Sequence, residues 1–140
     1  MRRMQGGNTL QVTIHALLTT TEHNPRIAFA TPCGEGQGTW GGRAPRVGHR
    51  YMAELEIDDI PMWGDTIVES DSTACHIAFE NDTVVVDGLL EQIEPAGATD
   101  VCTIRLDTSL MMVETCGHAP LAGRYVRLSA PSLQLFDTNL

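Results

Sequence analysis

The sequence predicts an all-β protein: a small antiparallel barrel or sandwich of about 8–10 short strands with little or no helix. Apolar and polar residues alternate over most of its 140 residues, as expected for half-buried strands. Clusters of Gly, Pro, Asn, Asp and Ser separate these runs at short intervals. No stretch has the sustained 3.6-residue apolar spacing of a helix. The length and the hydrophobic fraction of 42% predict a single domain over 1–140 with a real core.

The first half of the chain alternates between predicted strands and turns. Residues 1–8 have no apolar rhythm and are expected to form a disordered tail. Leu10 to Leu18 alternates, His23-Asn24-Pro25 is a turn signal, and a short strand passes through Ile27 and Phe29. The segment 33–48 contains six glycines and one proline, and we predict a long Gly/Arg-rich loop there. Further strands are predicted at 51–57, 66–68 and 76–79.

The second half begins with a tight turn at Asn81-Asp82 and a β-branched run. A long strand, a hairpin and a second strand pair follow in that order. This order resembles the oligonucleotide/oligosaccharide-binding (OB) barrel, a five-stranded Greek-key design, and implies an OB-like barrel in the C-terminal half. The predicted segments are the strand 83–94, the hairpin 101–115 with its link at 107–109, and a hairpin of 124–128 and 133–136 around 130–132.

A short sequence motif, here called the echo, recurs in the two halves of the chain. Arg50-Tyr51 precedes Asp65-Thr66, and Arg124-Tyr125 precedes Asp137-Thr138, with different spacings. Two fused small barrels would produce such an echo, but the unequal spacing favours coincidence, so one domain is kept.

Charge is distributed unevenly along the chain. The formal net charge is −9, from 18 acidic residues and nine bases, all of them arginine. Residues 1–50 carry +4, residues 51–104 carry thirteen acids and no base, and residues 105–140 are neutral. Two surfaces of opposite sign are therefore expected.

The acidic segment predicts a surface for a basic protein partner. Alternation over 51–59 puts Glu54, Glu56 and Asp58 on one strand face, with Asp59 and Asp65 close in sequence. A solvated strand face is the ordinary interpretation of such a row, and the functional one is electrostatic docking. We expect a non-enzymatic binding module, immunity- or inhibitor-like, that docks a basic partner through these five residues.

The arginine-rich segment supports an alternative. Trp40, Arg43, Arg46 and Arg50 combine cations with an aromatic ring in a glycine-rich stretch. Such a set is typical of sites for single-stranded nucleic acid or a phosphate ligand. The net acidity disfavours nucleic acid. A further alternative is a structural subunit of a larger assembly, such as a phage or secretion particle. An oligomeric state is compatible with each of these functions.

The sequence offers little for catalysis. There is no lysine, which excludes a P-loop lysine and a lysine Schiff base, and no nucleophile motif is present. We expect no enzymatic activity, no catalytic residues and no cofactor. Cys75, His76, Cys116 and His118 are weak candidates for a zinc site, because they form two close pairs without the usual ligand spacing.

The remaining predictions concern compartment. No apolar segment approaches the length that spans a bilayer, so no membrane association is expected. The N-terminus lacks a signal-peptide core, so a cytoplasmic location is expected, with the four cysteines as free thiols.

Overall fold

The computed structural model describes residues 9–19 and 24–138, and this part of the chain contains eleven β-strands and no helix. The predicted all-β class is thereby confirmed, while the predicted tail 1–8 lies outside the described residues. The strands are β1 (Leu10–Leu17), β2 (Arg26–Thr31), β3 (Gly34–Gly41), β4 (Arg50–Glu56), β5 (Ile67–Glu69), β6 (His76–Glu80), β7 (Thr83–Ala96), β8 (Thr99–Leu106), β9 (Ser109–Thr115), β10 (Tyr125–Ala130) and β11 (Leu133–Asp137).

Five strands close into a mixed barrel, which we call ring 1. β1 pairs antiparallel with β2 and β4, and β2 pairs antiparallel with β3. β11 closes the ring by pairing parallel with β3 and antiparallel with β4. This is the strand arrangement of the OB barrel, and it lies in the first half of the chain plus β11.

A second set of strands, ring 2, repeats this plan in the second half. β7 pairs antiparallel with β8 and β10, β8 pairs with β9, and β10 pairs with β5. The segment 61–69 connects the residue after β9, Cys116, with β10, which pairs with β5. Met62 forms a parallel bridge with Cys116, and the Cys116 N–H donates to the Pro61 carbonyl at 3.0 Å.

The two rings exchange their fifth strands. Ring 1 is completed by β11 from the end of the described chain, whereas ring 2 is completed by 61–69, which precedes its other strands. The predicted hairpin of 124–128 with 133–136 is therefore wrong, because β10 and β11 pair with different rings. The OB-like prediction for the C-terminal half has the right strand order there, with a fifth strand taken from elsewhere. The single domain over 1–140 stays a prediction.

Matching hydrogen bonds relate the two rings. The Gly48 N–H donates to the Ile14 carbonyl at 2.7 Å, and the Gly123 N–H donates to the Leu90 carbonyl at the same distance. Both glycines have positive φ and lie 75 positions apart in the chain. Around them the sequence repeats Gly-x-Ala-Pro-x-x-Gly, at 42–48 and at 117–123.

The predicted Arg-Tyr echo does not coincide with this repeat. Arg50 lies opposite Thr13, which precedes Ile14, and Tyr125 lies opposite Leu89, which precedes Leu90. Arg50 is therefore the structural counterpart of Tyr125, and the two Arg-Tyr pairs are offset by one residue.

The prediction of one continuous loop over 33–48 is wrong, because 34–41 form strand β3. Several residues of β3 are glycines, and because they have no side chain, neighbouring strands can approach β3 closely. A Cβ atom on Gly38 would collide with the Leu133 carbonyl oxygen and lie 2.7 Å from the Leu135 side chain. A Cβ on Gly36 would lie 3.0 Å from the Phe29 ring. Glycine here serves close packing of strands rather than loop flexibility.

The prediction of four free thiols is also wrong, because Cys33 and Cys75 form a disulfide. Cys33 lies in the turn between β2 and β3, and its carbonyl accepts the Ile77 N–H at 2.9 Å. This contact and the disulfide, whose cysteines are 42 residues apart, hold the start of β6 beside the turn. Cys102 and Cys116 are free, and burial raises the pKa of the Cys102 thiol.

The described part of the chain contains no helix of the length and apolarity needed to cross a membrane. The cytoplasmic location stays a prediction.

Candidate functional site

The residues between β3 and β4 form a short loop, 42–49, which we call the arginine loop together with Arg50, the first residue of β4. Its first half is fixed by two aromatic side chains. The Trp40 indole N–H donates to the Arg43 carbonyl at 2.8 Å, and the Arg46 backbone N–H donates to the Tyr51 hydroxyl at 3.0 Å. The two aromatic rings lie 5.0 Å apart in a tilted arrangement. The loop therefore rests on a packed aromatic pair.

Backbone hydrogen bonds fix the second half of the arginine loop to β1. Besides the bond from Gly48, the Ile14 N–H donates to the His49 carbonyl at 3.0 Å. The His49 N–H in turn donates to the Arg46 carbonyl at 3.1 Å. The loop is thus held at both ends and in the middle.

Three arginine side chains project from this fixed backbone. Arg43, Arg46 and Arg50 are all exposed, and none of them forms an ion pair with a described residue. By contrast, Arg105, Arg124 and Arg127 bind Glu91, Glu69 and Asp87, respectively. The arginine loop therefore presents guanidinium groups that no carboxylate of the described chain neutralises by contact.

Trp40 does not belong to this exposed set. Its side chain is fully buried in the core of ring 1, which contradicts the predicted role as a stacking surface for bases. The reason is its position at a buried site of β3, in the segment predicted as loop. The predicted site keeps its cations and loses its aromatic platform.

Four of the five predicted acidic residues line one groove. Glu54, Glu56, Asp58 and Asp59 form one wall, and Glu114 on β9 adds a carboxylate from the other. Asp65 does not line this groove and lies in the turn before β5. The groove has a volume of about 300 Å³, and it runs between the end of β4 and β9. Its apolar lining consists of Leu55, Ile57, Ile60, Val101, Leu110, Met112 and Val113.

Polar neighbours hold several of these carboxylates. Asp58 accepts a hydrogen bond from the Gln134 amide at 2.5 Å, and Glu114 accepts one from the Thr99 hydroxyl at 2.8 Å. Glu54 and Glu56 also have interaction partners. No arginine is among the described residues that line the groove.

The weak metal candidates are not brought together. Cys75 forms the disulfide with Cys33, and the Cys116 thiol lies 3.7 Å from the Pro61 carbonyl oxygen. Over residues 9–19 and 24–138, no three side chains of His, Cys, Asp or Glu are placed to hold a metal ion.

Sequence reasoning missed a polar row on the outer face of ring 2. Asp87 is only 2% exposed, and it faces His76 on one neighbouring strand and Arg127 on the other. Arg127 binds both carboxylate oxygens, and this pairing raises the pKa of its guanidinium. The available signal was an acidic residue directly after the run Thr83-Val84-Val85-Val86, where a strand should be apolar.

Comparison with known proteins then places the fold. No protein-family model matches the sequence, and no curated protein matches it. A solved structure does match: the cytoplasmic molybdate-binding protein ModG, with molybdate bound. The fold is ModG-like. The TM-score is 0.50 at 13% identity, and the alignment covers 96% of this chain and 98% of that chain. At this identity the likeness to ModG establishes the fold alone.

Proposed function

We propose that the protein binds a small oxyanion through Arg43, Arg46 and Arg50 of the arginine loop. The observation that carries this proposal is the fixed loop backbone, with its three exposed arginines unpaired to any described carboxylate. Each guanidinium offers several N–H donors in a planar fork that matches a pair of oxyanion oxygens.

The anchoring of the loop supports binding on energetic grounds. Ordering a mobile loop around a ligand consumes part of the interaction energy. Here Trp40, Tyr51 and Ile14 already hold the backbone in place, so only the arginine side chains need to be ordered. The arginines can therefore act from a fixed base.

The kind of ligand follows from two further points. ModG, which shares the fold, binds molybdate, a tetrahedral oxyanion. The formal charge of −9 opposes the approach of a long polyanion. A small anion at the arginine loop is less affected, because protein charges farther than about 8 Å from it are largely screened at physiological salt. With Trp40 buried, a small oxyanion is favoured over single-stranded nucleic acid.

Isothermal titration calorimetry with molybdate, sulfate and phosphate tests the proposal. We expect saturable binding of at least one of the three anions to the wild-type protein. The double variant Arg43→Gln, Arg46→Gln should bind that anion at least tenfold more weakly, a loss of about 1.4 kcal/mol or more.

The matched control is Arg105→Gln, Arg124→Gln, which removes the same charge from two arginines already bound to Glu91 and Glu69. This control should keep wild-type affinity. Absence of binding by all three anions, or an equal loss in both double variants, would refute the proposal. The structural-subunit interpretation and the absence of enzymatic activity stay predictions.

A further inference from the structure

We propose that the groove between β4 and β9 binds an extended basic segment of a partner protein, which pairs as an added strand with the open edge of β9. The juxtaposition that carries this inference is a free strand edge facing a wall of carboxylates. The site is separate from the arginine loop and does not depend on oxyanion binding.

The open edge follows from the strand pairing. β9 pairs with β8 along its whole length, and no other described strand pairs with the second side of residues 109–115. The segment 61–63 meets that side only at Cys116, directly after β9. The β8–β9 hairpin turns at Asp107-Thr108, so its two flanking residues, Leu106 and Ser109, form the first hydrogen-bonded pair.

Hydrogen-bonded and non-hydrogen-bonded pairs alternate along an antiparallel ladder. Beyond the pair at Ser109, the backbone groups of Leu110, Met112 and Glu114 therefore point away from β8. These are the groups that an incoming strand would pair with.

The groove lies on that free side. Leu110, Met112 and Glu114 all line it, and the facing wall is the segment 54–60. A strand laid along β9 would therefore lie inside the groove rather than on an open surface. Its alternate side chains would meet the opposite wall.

The chemistry of the two walls selects a basic occupant with apolar residues. Five carboxylates and no arginine line the groove among the described residues. Ile60 and Met112 are 49% and 48% exposed, so apolar surface accompanies the charge. A segment in which arginine or lysine alternates with apolar residues matches both the carboxylates and the apolar surface of the groove.

The same charge argues against a second copy of this chain as the occupant. Exposed strand edges are commonly protected from self-association by charge. Two copies of β9 paired edge to edge would bring the two acidic grooves, including both Glu114 side chains, close together. A partner of opposite charge is attracted where a copy is repelled.

Fluorescence anisotropy with labelled peptides tests the proposal on the full chain. The probe is Arg-Val-Arg-Val-Arg-Val, compared with two versions N-methylated either at the valines or at the arginines. The parent peptide should bind saturably. One of the two methylated peptides should bind at least tenfold more weakly, because it lacks the N–H groups that face β9. Equal binding of all three peptides, or no binding of the parent, would overturn the proposal.

A pair of variants tests the groove itself. Asp59→Asn with Glu114→Gln removes one carboxylate from each wall, and we expect at least a tenfold loss of affinity for the parent peptide. Asp65→Asn with Asp71→Asn removes the same charge from exposed residues outside the groove and should leave affinity within twofold. An equal loss in both variants would mean a diffuse charge effect and would refute the site. Retention of peptide binding by Arg43→Gln, Arg46→Gln would show that the two sites are independent.

Discussion

Arg127 donates two parallel hydrogen bonds to the buried carboxylate of Asp87, from Nε to Oδ1 at 2.8 Å and from Nη2 to Oδ2 at 2.9 Å. The pair is unequal, since Asp87 is 2% exposed while the Arg127 side chain is 49% exposed. Removing the arginine would leave a buried charge without its partner, whereas removing the carboxylate would leave a guanidinium in contact with water.

This asymmetry predicts unequal mutant stabilities. Arg127→Ala should lower the free energy of unfolding by about 2–3 kcal/mol. Asp87→Asn should cost only about 1 kcal/mol. Urea denaturation followed by circular dichroism measures both. Equal losses in the two variants would contradict the asymmetry.

The glycines of β3 predict a steep packing effect. In Gly38→Ala the new methyl group would collide with the β11 backbone, so ring 1 could not close as it does now. We expect a loss of more than about 3 kcal/mol. Gly97→Ala is the control, because nothing lies within 4 Å of its Cβ position and only its φ of +73° is strained. It should cost about 1 kcal/mol, so a milder effect at Gly38 than at Gly97 would be inconsistent with the close approach of β11.

The anchoring of the arginine loop predicts resistance to trypsin. The chain has no lysine, so trypsin can cut only after arginine. Tyr51→Phe removes the hydroxyl that accepts the Arg46 N–H and should increase cleavage after Arg43 and Arg46 several-fold. Tyr125→Phe, at the start of β10, is a matched control. Timed digestion with mass spectrometry compares the variants, and identical cleavage rates would show that the hydroxyl does not hold the loop.

The cysteines should divide into three chemical classes. Without reductant, alkylation should spare Cys33 and Cys75 because they are bonded, and Cys102 because burial raises the pKa of its thiol. Only Cys116 should react in the native protein. Cys33→Ser with Cys75→Ser should lower the free energy of unfolding by about 2–4 kcal/mol. Rapid native labelling of Cys33 would disprove the bond.

Acid should weaken one surface ion pair. The hydrogen bond from Arg105 lowers the pKa of Glu91 from 4.5, so the pair stabilises the fold above that value. This stabilisation is lost as the pH falls through the lower pKa of the folded state. Glu91→Gln should therefore destabilise at pH 7 and have less effect near pH 2.5, as thermal melts of both proteins would measure. A constant difference across that range would exclude the linkage.

The fold class followed from alternation because each strand buries one face, as in Leu10, Val12 and Ile14 of β1. Strand β3 was missed because its inward positions include Gly36 and Gly38, which have no side chain to create a pattern. The order of β7 to β10 was readable from local turns. The destination of β11 was not, because its partners lie 78 to 95 residues away and the approach to β3 depends on space left by glycine.

The candidate sites divide in the same way. The acidic residues from Glu54 to Asp59 are close in sequence, so they could be identified together from the sequence. Glu114 joins them only through tertiary packing. Arg43, Arg46 and Arg50 were likewise found from the sequence. The burial of Trp40 could not be predicted once its segment had been assigned to a loop.

The exchange of fifth strands also sets an order of events for biosynthesis. Ring 1 needs residues 133–137, so strands β1 to β4 cannot form a closed barrel on the ribosome until β11 has been made. Such pairing between distant segments slows folding, because a long loop must be ordered before its contacts form. Until then the edges of β3 and β4 stay open to the corresponding strand of another molecule. The route that completes the barrel within one chain can thus also join two chains, and the concentration of nascent protein decides between them.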